Sequence, residues 1–199
     1  FEGGGHGQVL SYRELWDGAA RIAAGVQAGG LEVGERVALM LPSGADYFFA
    51  FYGVLLAGGV PVPIYPPVRR AQLEEHLRRQ GRILANAQAA VLITTDDALL
   101  VARLLTASVA SLGTVTTVAE LGSHGGRFER AAPAPEALAF LQYTSGSTGD
   151  PKGVMLSHAN LLANIRADGQ GLAVTSDDVF VSWLPLYHDM GLIGAWLGS

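Results

Sequence analysis

Cysteine is absent from the 199 residues. That excludes disulfides, thiol catalysis and cysteine metal sites together, and it fits a reducing compartment, so a cytoplasmic location is expected. Lysine is almost absent: of 13 basic residues only Lys152 is a lysine. A basic excess is also missing, because the formal net charge is −5. Nothing therefore favours a grip on nucleic acid or on anionic lipid. Charged residues make up only 16% against 49% hydrophobic, the opposite of a disordered composition. Long apolar runs are missing too. The stretch from Tyr47 to Val60 is 14 residues, too short to span a bilayer, and Gly58-Gly59 breaks it. The glycine-rich start, Phe1 to Gln8, has no apolar core of the kind a signal peptide needs.

What is present is a mean hydropathy of +0.28, enough for a sizeable core, and 26 glycines with 9 prolines, so turns are frequent. Ser11-Tyr12-Arg13-Glu14 has the form of a capping box, and Leu15, Ala19, Ile22 and Val26 follow at helical spacing until Gly29-Gly30. Val37 to Leu41 reads as a strand ended by Pro42. Ser43 is placed to cap a buried helix through Ala57. The alternate prolines of Val60-Pro61-Val62-Pro63-Ile64 suit an edge or irregular strand. Arg70 to Ala87 predicts an amphipathic helix with Leu73, Leu77, Ile83 and Leu84 inward. Ala90 to Thr94 predicts a strand, Asp96 to Leu112 a helix, and Val115 to Val118 a strand. Alternation of helix and strand predicts an α/β fold with a largely parallel sheet. Glu120 to Glu136 is polar and reads as a surface loop between a first portion, 1–136, and a second, 137–199.

The second portion carries the chemistry. The apolar run Ala137 to Tyr143 leads into Thr144-Ser145-Gly146-Ser147-Thr148-Gly149-Asp150-Pro151-Lys152-Gly153. Glycines let backbone N–H groups approach an anion, hydroxyls donate to phosphate oxygens, and a lysine adds a compact positive charge. A flexible linker is the alternative for such a tract, but linkers rarely lie between apolar strands or hold the only lysine. The G-x-x-x-x-G-K spacing of the ordinary P-loop is not met, because Pro151 stands where its second glycine would be. Leu156-Ser157-His158-Ala159-Asn160 then starts a helix to about Arg166.

The stretch Tyr143 to Gly153 resembles the signature loop of the adenylate-forming (AMP-binding) superfamily, which includes acyl-CoA synthetases, luciferases and peptide-synthetase adenylation domains. Leu10 to Leu15 is similar to the first core motif of adenylation domains, and Leu55 to Pro63 to the second. Trp183 to Gly194, with its Tyr187-His188-Asp189-Met190-Gly191 centre, resembles the fatty acyl-AMP ligases of polyketide and nonribosomal lipopeptide assembly lines, as does Ile64-Tyr65-Pro66-Pro67.

The resemblance implies a partial adenylation domain over 1–199, inside the large amino-terminal domain of such an enzyme. It implies ATP-dependent activation of a fatty or other apolar carboxylic acid to an acyl-adenylate and pyrophosphate. The acyl group then passes to the phosphopantetheine thiol of an acyl carrier protein. Thr144, Ser145, Gly146, Ser147, Thr148, Gly149 and Lys152 are expected to hold the outer phosphates, with Mg²⁺ sharing their charge and no metal ligand assigned to this chain. His188 and Lys152 are the expected catalytic residues. His6, His76, His124 and His158 are expected to be surface or capping residues. The resemblance also places an adenine-binding acidic motif, a ribose-binding aspartate and a catalytic lysine later than Ser199, so the chain alone is expected to be inactive. Two other functions stay open: an acyl-CoA or aryl-CoA ligase of the same superfamily, and a non-catalytic nucleotide-binding fragment.

Overall fold

The computed structural model describes residues 9–66, 73–144 and 151–198, with the side chains of 73 and 74 left aside. Helix α1 (Tyr12–Ala28) begins at the capping box read from the sequence. The Ser11 hydroxyl accepts from the Glu14 N–H, and the Glu14 carboxylate accepts from the Ser11 N–H at 2.8 Å. The Ser11 hydroxyl also donates to that carboxylate at 2.6 Å, and this bond, with the one from the Ser11 N–H, holds the Glu14 carboxyl below the usual carboxylate range. After strand β1 (Arg36–Met40), helix α2 (Ala45–Leu56) packs on α1 at close range. A Cβ at Gly53 would lie 2.6 Å from the Ile22 Cβ and 2.8 Å from the Ala19 carbonyl oxygen, so only glycine admits this approach.

Strands β1, β2 (Val60–Pro63), β3 (Ala89–Thr94) and β4 (Thr114–Thr117) form one parallel sheet in the order β2-β1-β3-β4. The parallel α/β expectation is therefore met, and the proline-bearing strand lies at the sheet edge. The N–H groups of Val60 and Ile64 donate to Glu35 and Leu39 of the β1 side at 2.8 and 3.0 Å. Pro61 and Pro63 alternate with them, so their missing N–H groups fall on the side away from β1. Side chains along β1 alternate between two cores, as a sheet covered on both faces requires. Val37 and Leu39 join Ile22, Phe51 and Leu121, whereas Ala38 and Met40 join Leu84, Ala102 and Leu105. Helices α1, α2 and α5 (Val118–Ser123) cover the first face; α3 (Leu73–Ala87) and α4 (Asp96–Ala102) cover the second. Positions 70–72, expected in α3, lie outside the described residues.

Two expectations differ in extent. The helix expected over Asp96–Leu112 is α-helical only to Ala102 and tightens to a 3₁₀ turn over Arg103–Ala107. The hydroxyls of Thr106 and Ser108 donate to the carbonyls of Arg103 and Leu105, which competes with continued α-helix. The polar stretch from Glu120 is not wholly loop. Thr117 and Glu120 form a second capping box that starts α5. Beyond it Gln27 clamps the chain by donating to the Glu129 carbonyl and accepting from the Glu129 N–H, at 2.8 and 2.9 Å.

Strands β5 (Leu138–Thr144) and β6 (Lys152–Ser157) form a separate antiparallel pair. Helix α6 (His158–Gly171) follows, capped by Ser157 and Asn160, and runs a turn beyond the expected Arg166. A π-helical segment, Met190–Leu197, ends the described chain. No helix among the described residues is long and apolar enough to cross a membrane.

Candidate active site

The antiparallel pairing sets Thr144 directly opposite Lys152 at the end of β5 and β6 that the signature stretch joins. The strands thus bring the first hydroxyl of the signature stretch beside its only lysine, both exposed. Ser145, Gly146, Ser147, Thr148 and Gly149 lie outside the described residues. Thr144 also lines a cavity of about 100 Å³ with Tyr65, Gln142, Tyr187, His188 and Asp189. Two of the expected functional residues, Thr144 and His188, therefore share one cavity, and Lys152 stands beside the first.

The turn that presents His188 is fixed by contacts from distant parts of the chain. The Leu186 N–H donates to the Ser43 hydroxyl at 3.2 Å, and the Tyr47 hydroxyl donates to the Leu186 carbonyl at 2.9 Å. Ser43 thus bonds in tertiary structure rather than capping α2, whose N-cap is Gly44 with no side-chain bond. Burial pushes the Tyr47 phenol well above its ordinary value, so it stays a neutral donor. The Gln142 amide donates to the Tyr187 carbonyl at 3.1 Å. The Tyr65 and Tyr187 rings lie 4.4 Å apart, with the Arg79 guanidinium 5.8 Å from the Tyr65 ring. After the turn, the Trp196 ring sits 4.5 Å from Phe48 and 4.8 Å from Tyr52, which anchors the π-helical segment on α2.

The His188 Nδ1 lies 2.6 Å from the Asp189 carboxylate, and both side chains remain about half exposed. This contact orients the imidazole and leaves Nε2 for another partner. On the other side of the cavity the Tyr143 hydroxyl donates to Asn86 at 2.5 Å, and burial raises its phenol above the ordinary value.

The remaining histidines divide. His124 is the C-cap residue of α5, with Nδ1 2.9 Å from the Glu120 carbonyl, and His158 is the first residue of α6. His6 lies outside the described residues. His76 departs from expectation. It is half-buried, and its Nε2 has no partner among the described residues. Burial first, and the Arg79 charge second, lower its pKa against a bond to the Tyr65 backbone. The expectation of a surface or capping residue followed from its lack of any motif context, and the local sequence gives no sign of the Tyr65 contact. Gln142, Ser43 and Tyr47 were not foreseen as parts of the site. Only Gln142 carried a local signal, as a lone amide in an apolar strand.

Among the described residues no three histidine, aspartate or glutamate side chains cluster to hold a metal ion.

The chain is 34% identical over 188 residues to the medium-chain-fatty-acid–[acyl-carrier-protein] ligase JamA of Moorena producens, covering 92% of this chain and 31% of that protein. It is 34% identical over 210 residues to the long-chain-fatty-acid–AMP ligase FadD26 of Mycobacterium marinum, covering 95% and 33%. The fatty acyl-adenylate ligase of L. pneumophila, solved in complex with acyl adenylate and pyrophosphate, superposes with a TM-score of 0.81 at 34% identity, over 96% of this chain and 32% of that one. The chain thus spans about a third of the length of the relatives it matches. The profile of the family described as AMP-binding enzyme matches residues 2–199, and the chain belongs to that family.

Proposed function

We propose that the protein carrying this chain is a fatty acyl-AMP ligase. In the reaction a carboxylate oxygen attacks the α-phosphorus of ATP. The new acyl–phosphate bond replaces the bond to pyrophosphate, which leaves. A phosphopantetheine thiol of an acyl carrier protein then takes the acyl group as a thioester and releases AMP. The observation that carries this reading is that Thr144 and His188 share one cavity while Lys152 pairs opposite Thr144 at the end of the hairpin that the signature stretch closes. The likeness to a ligase holding acyl adenylate and pyrophosphate supports it.

Two anions must meet in this reaction, so positioning and charge neutralisation dominate the barrier. Lys152 holds the β- and γ-phosphates as a point charge at the hairpin mouth. Thr144, with Ser145, Gly146, Ser147, Thr148 and Gly149, supplies hydroxyl and backbone donors. His188, oriented through Asp189, faces the α-phosphate and the entering carboxylate. Mg²⁺ bound with ATP supplies further charge neutralisation on the phosphates. Thr144 supplies an oxygen of the hard type that cation accepts, and the described residues build no protein cage for it.

An apolar acid is the favoured substrate, because the Tyr187 to Gly194 stretch resembles the fatty-acyl pattern and its one carboxylate, Asp189, is engaged with the His188 Nδ1 at 2.6 Å. In this reading 1–136 is a first α/β portion and 137–199 holds the phosphate loop and the start of the acyl pocket. ATP and a reduced carrier thiol are both consistent with a cytoplasmic location.

Hydroxylamine trapping with matched fatty and amino acids tests the proposal on the full-length protein. Adenylation of a fatty acid, followed by transfer to a carrier protein, is expected. A tenfold preference for any free amino acid would refute it, and transfer to coenzyme A alone would favour the acyl-CoA ligase reading.

A further inference from the structure

Gln142 is 5% exposed on a strand whose neighbours Ala139, Phe140 and Leu141 are buried hydrophobics. An amide at such a position is costlier than an apolar side chain unless both its ends are bonded. Its nitrogen is bonded, donating to the Tyr187 carbonyl across 45 positions of sequence. That partner is an acceptor only, which fixes the orientation of the amide and turns Oε1 the other way. Oε1 is buried and has no partner among the described residues, and Gln142 lines the cavity shared by Thr144 and His188. The residue therefore lies two positions before the phosphate-loop threonine and holds the carbonyl one position before the histidine.

We propose that Gln142 is a positioning residue for His188: its amide latches the His188 turn to the strand that carries the phosphate loop. The two groups that must act on one substrate thereby keep a fixed separation. This deepens the function proposed above and rests on it. The latch acts through the Tyr187 carbonyl and the bonds that follow, in which the N–H groups of Gly191 and Leu192 donate to the His188 carbonyl at 3.0 and 2.9 Å. Free Oε1 serves as an acceptor for a water or a ligand donor filling the cavity, which at about 100 Å³ has room for either.

The test uses the full-length protein with Gln142→Met, which keeps volume and removes the donor, alone and combined with His188→Ala. Gln142→Met is expected to lower kcat for acyl-adenylate formation about tenfold with the KM for ATP changed less than about twofold. In the His188→Ala background it should cost nothing further, because the latch has no histidine left to place. A separate arm needs no turnover: backbone amide exchange over residues 186–192 should quicken in Gln142→Met without ligand. Equal losses in both backgrounds, or unchanged kcat and unchanged exchange, would overturn the proposal. If the wild type adenylates no carboxylate, the function proposed above fails, and the exchange arm alone decides whether the latch exists. If Gln142→Met folds poorly, Gln142→Glu serves instead: it keeps the shape and sets an acceptor against the Tyr187 carbonyl.

Discussion

The parallel sheet and the His188 turn are held by different physics. Strand β1 is closed on both faces, with Val37, Ala38 and Leu39 fully buried, and its order follows from packing alone. The chain after α6 is open. Val179, Val181 and Trp183 are 88%, 76% and 90% exposed, and β6 shows Met155 at 69%. Yet the turn at 185–188 within that open region has a defined geometry. Three hydrogen bonds with distant residues supply it, with Ser43 and Tyr47 at Leu186 and with Gln142 at Tyr187. The comparison teaches that in this chain packing builds the platform, and single polar bonds aim the chemistry. Substitutions in the first region should therefore cost stability, and those in the second should cost activity.

The sharpest break is Phe51→Ala. Phe51 is fully buried and meets Tyr47, Phe140 and Trp196 at ring distances of 6.2, 5.8 and 5.6 Å. Truncation should destabilise the protein by about 3–5 kcal/mol in denaturant melts. A loss below about 1 kcal/mol would mean that packing is not what orders the platform. Gly191→Ala comes next and should act on both sides of the comparison. The added Cβ would collide with the Pro185 carbonyl oxygen and lie 2.8 Å from its carbon, both of them backbone atoms that cannot rotate away. We expect roughly 1–3 kcal/mol of destabilisation and a larger fractional loss of adenylation, since the Pro185 carbonyl that must move accepts from the His188 N–H at 3.2 Å. Melts and adenylate trapping on the same preparation would reveal whether the two losses separate.

The platform was legible in the sequence because its rules are local. A serine three residues before a glutamate, apolar residues at helical spacing and prolines at alternate strand positions each have one structural meaning. The same rule, applied to Thr117 and Glu120, would have found α5 inside a stretch that polarity alone assigned to loop. The early end of α4 was hidden because Thr106 and Ser108 bond to their own turn, a choice that apolar spacing does not report. The pairing of Thr144 with Lys152 follows from a hairpin closed by the signature stretch. The anchors of the His188 turn were not legible. Ser43 and Tyr47 reach Leu186 over 143 and 139 positions, and no local pattern encodes a bond of that span. Ser43 also looked like a helix cap, so its local meaning competed with the true one.

Lys152→Ala tests the second region with little disturbance of the first. Lys152 is exposed at the end of β6, so melting should barely change. Loss of a charge-assisted bond to the outer phosphates of ATP is worth about 1.5–3 kcal/mol. The expected fall in kcat/KM for ATP is then on the order of ten- to a hundredfold. Lys152→Arg should restore part of it, because a planar guanidinium follows a moving phosphate less well than a compact ammonium. Unchanged kinetics in Lys152→Ala would leave the loop holding phosphate through backbone and hydroxyls alone.

The smallest effect concerns His76, which joins the two regions by bonding the Tyr65 backbone while the Tyr65 ring packs at a tilt against Tyr187. Burial and the neighbouring Arg79 charge favour the neutral ring, so its pKa in the folded protein lies below the unfolded value. As pH falls through the unfolded value near 6.5, the unfolded chain takes up the proton first. Stability conferred by the neutral ring is therefore complete above that pH and declines beneath it, levelling off once the folded protein also protonates. The decline should be shallow, because about half of the side chain sees solvent and water screens the charge. Denaturant melts of wild type and His76→Leu between about pH 7.5 and 5, an interval that brackets the unfolded value, isolate this contribution from the other histidines. The wild type should lose more stability than the variant across that interval. Parallel curves would mean that His76 is solvated like an ordinary surface residue, and that the turn and the helix meet only through the tyrosine rings.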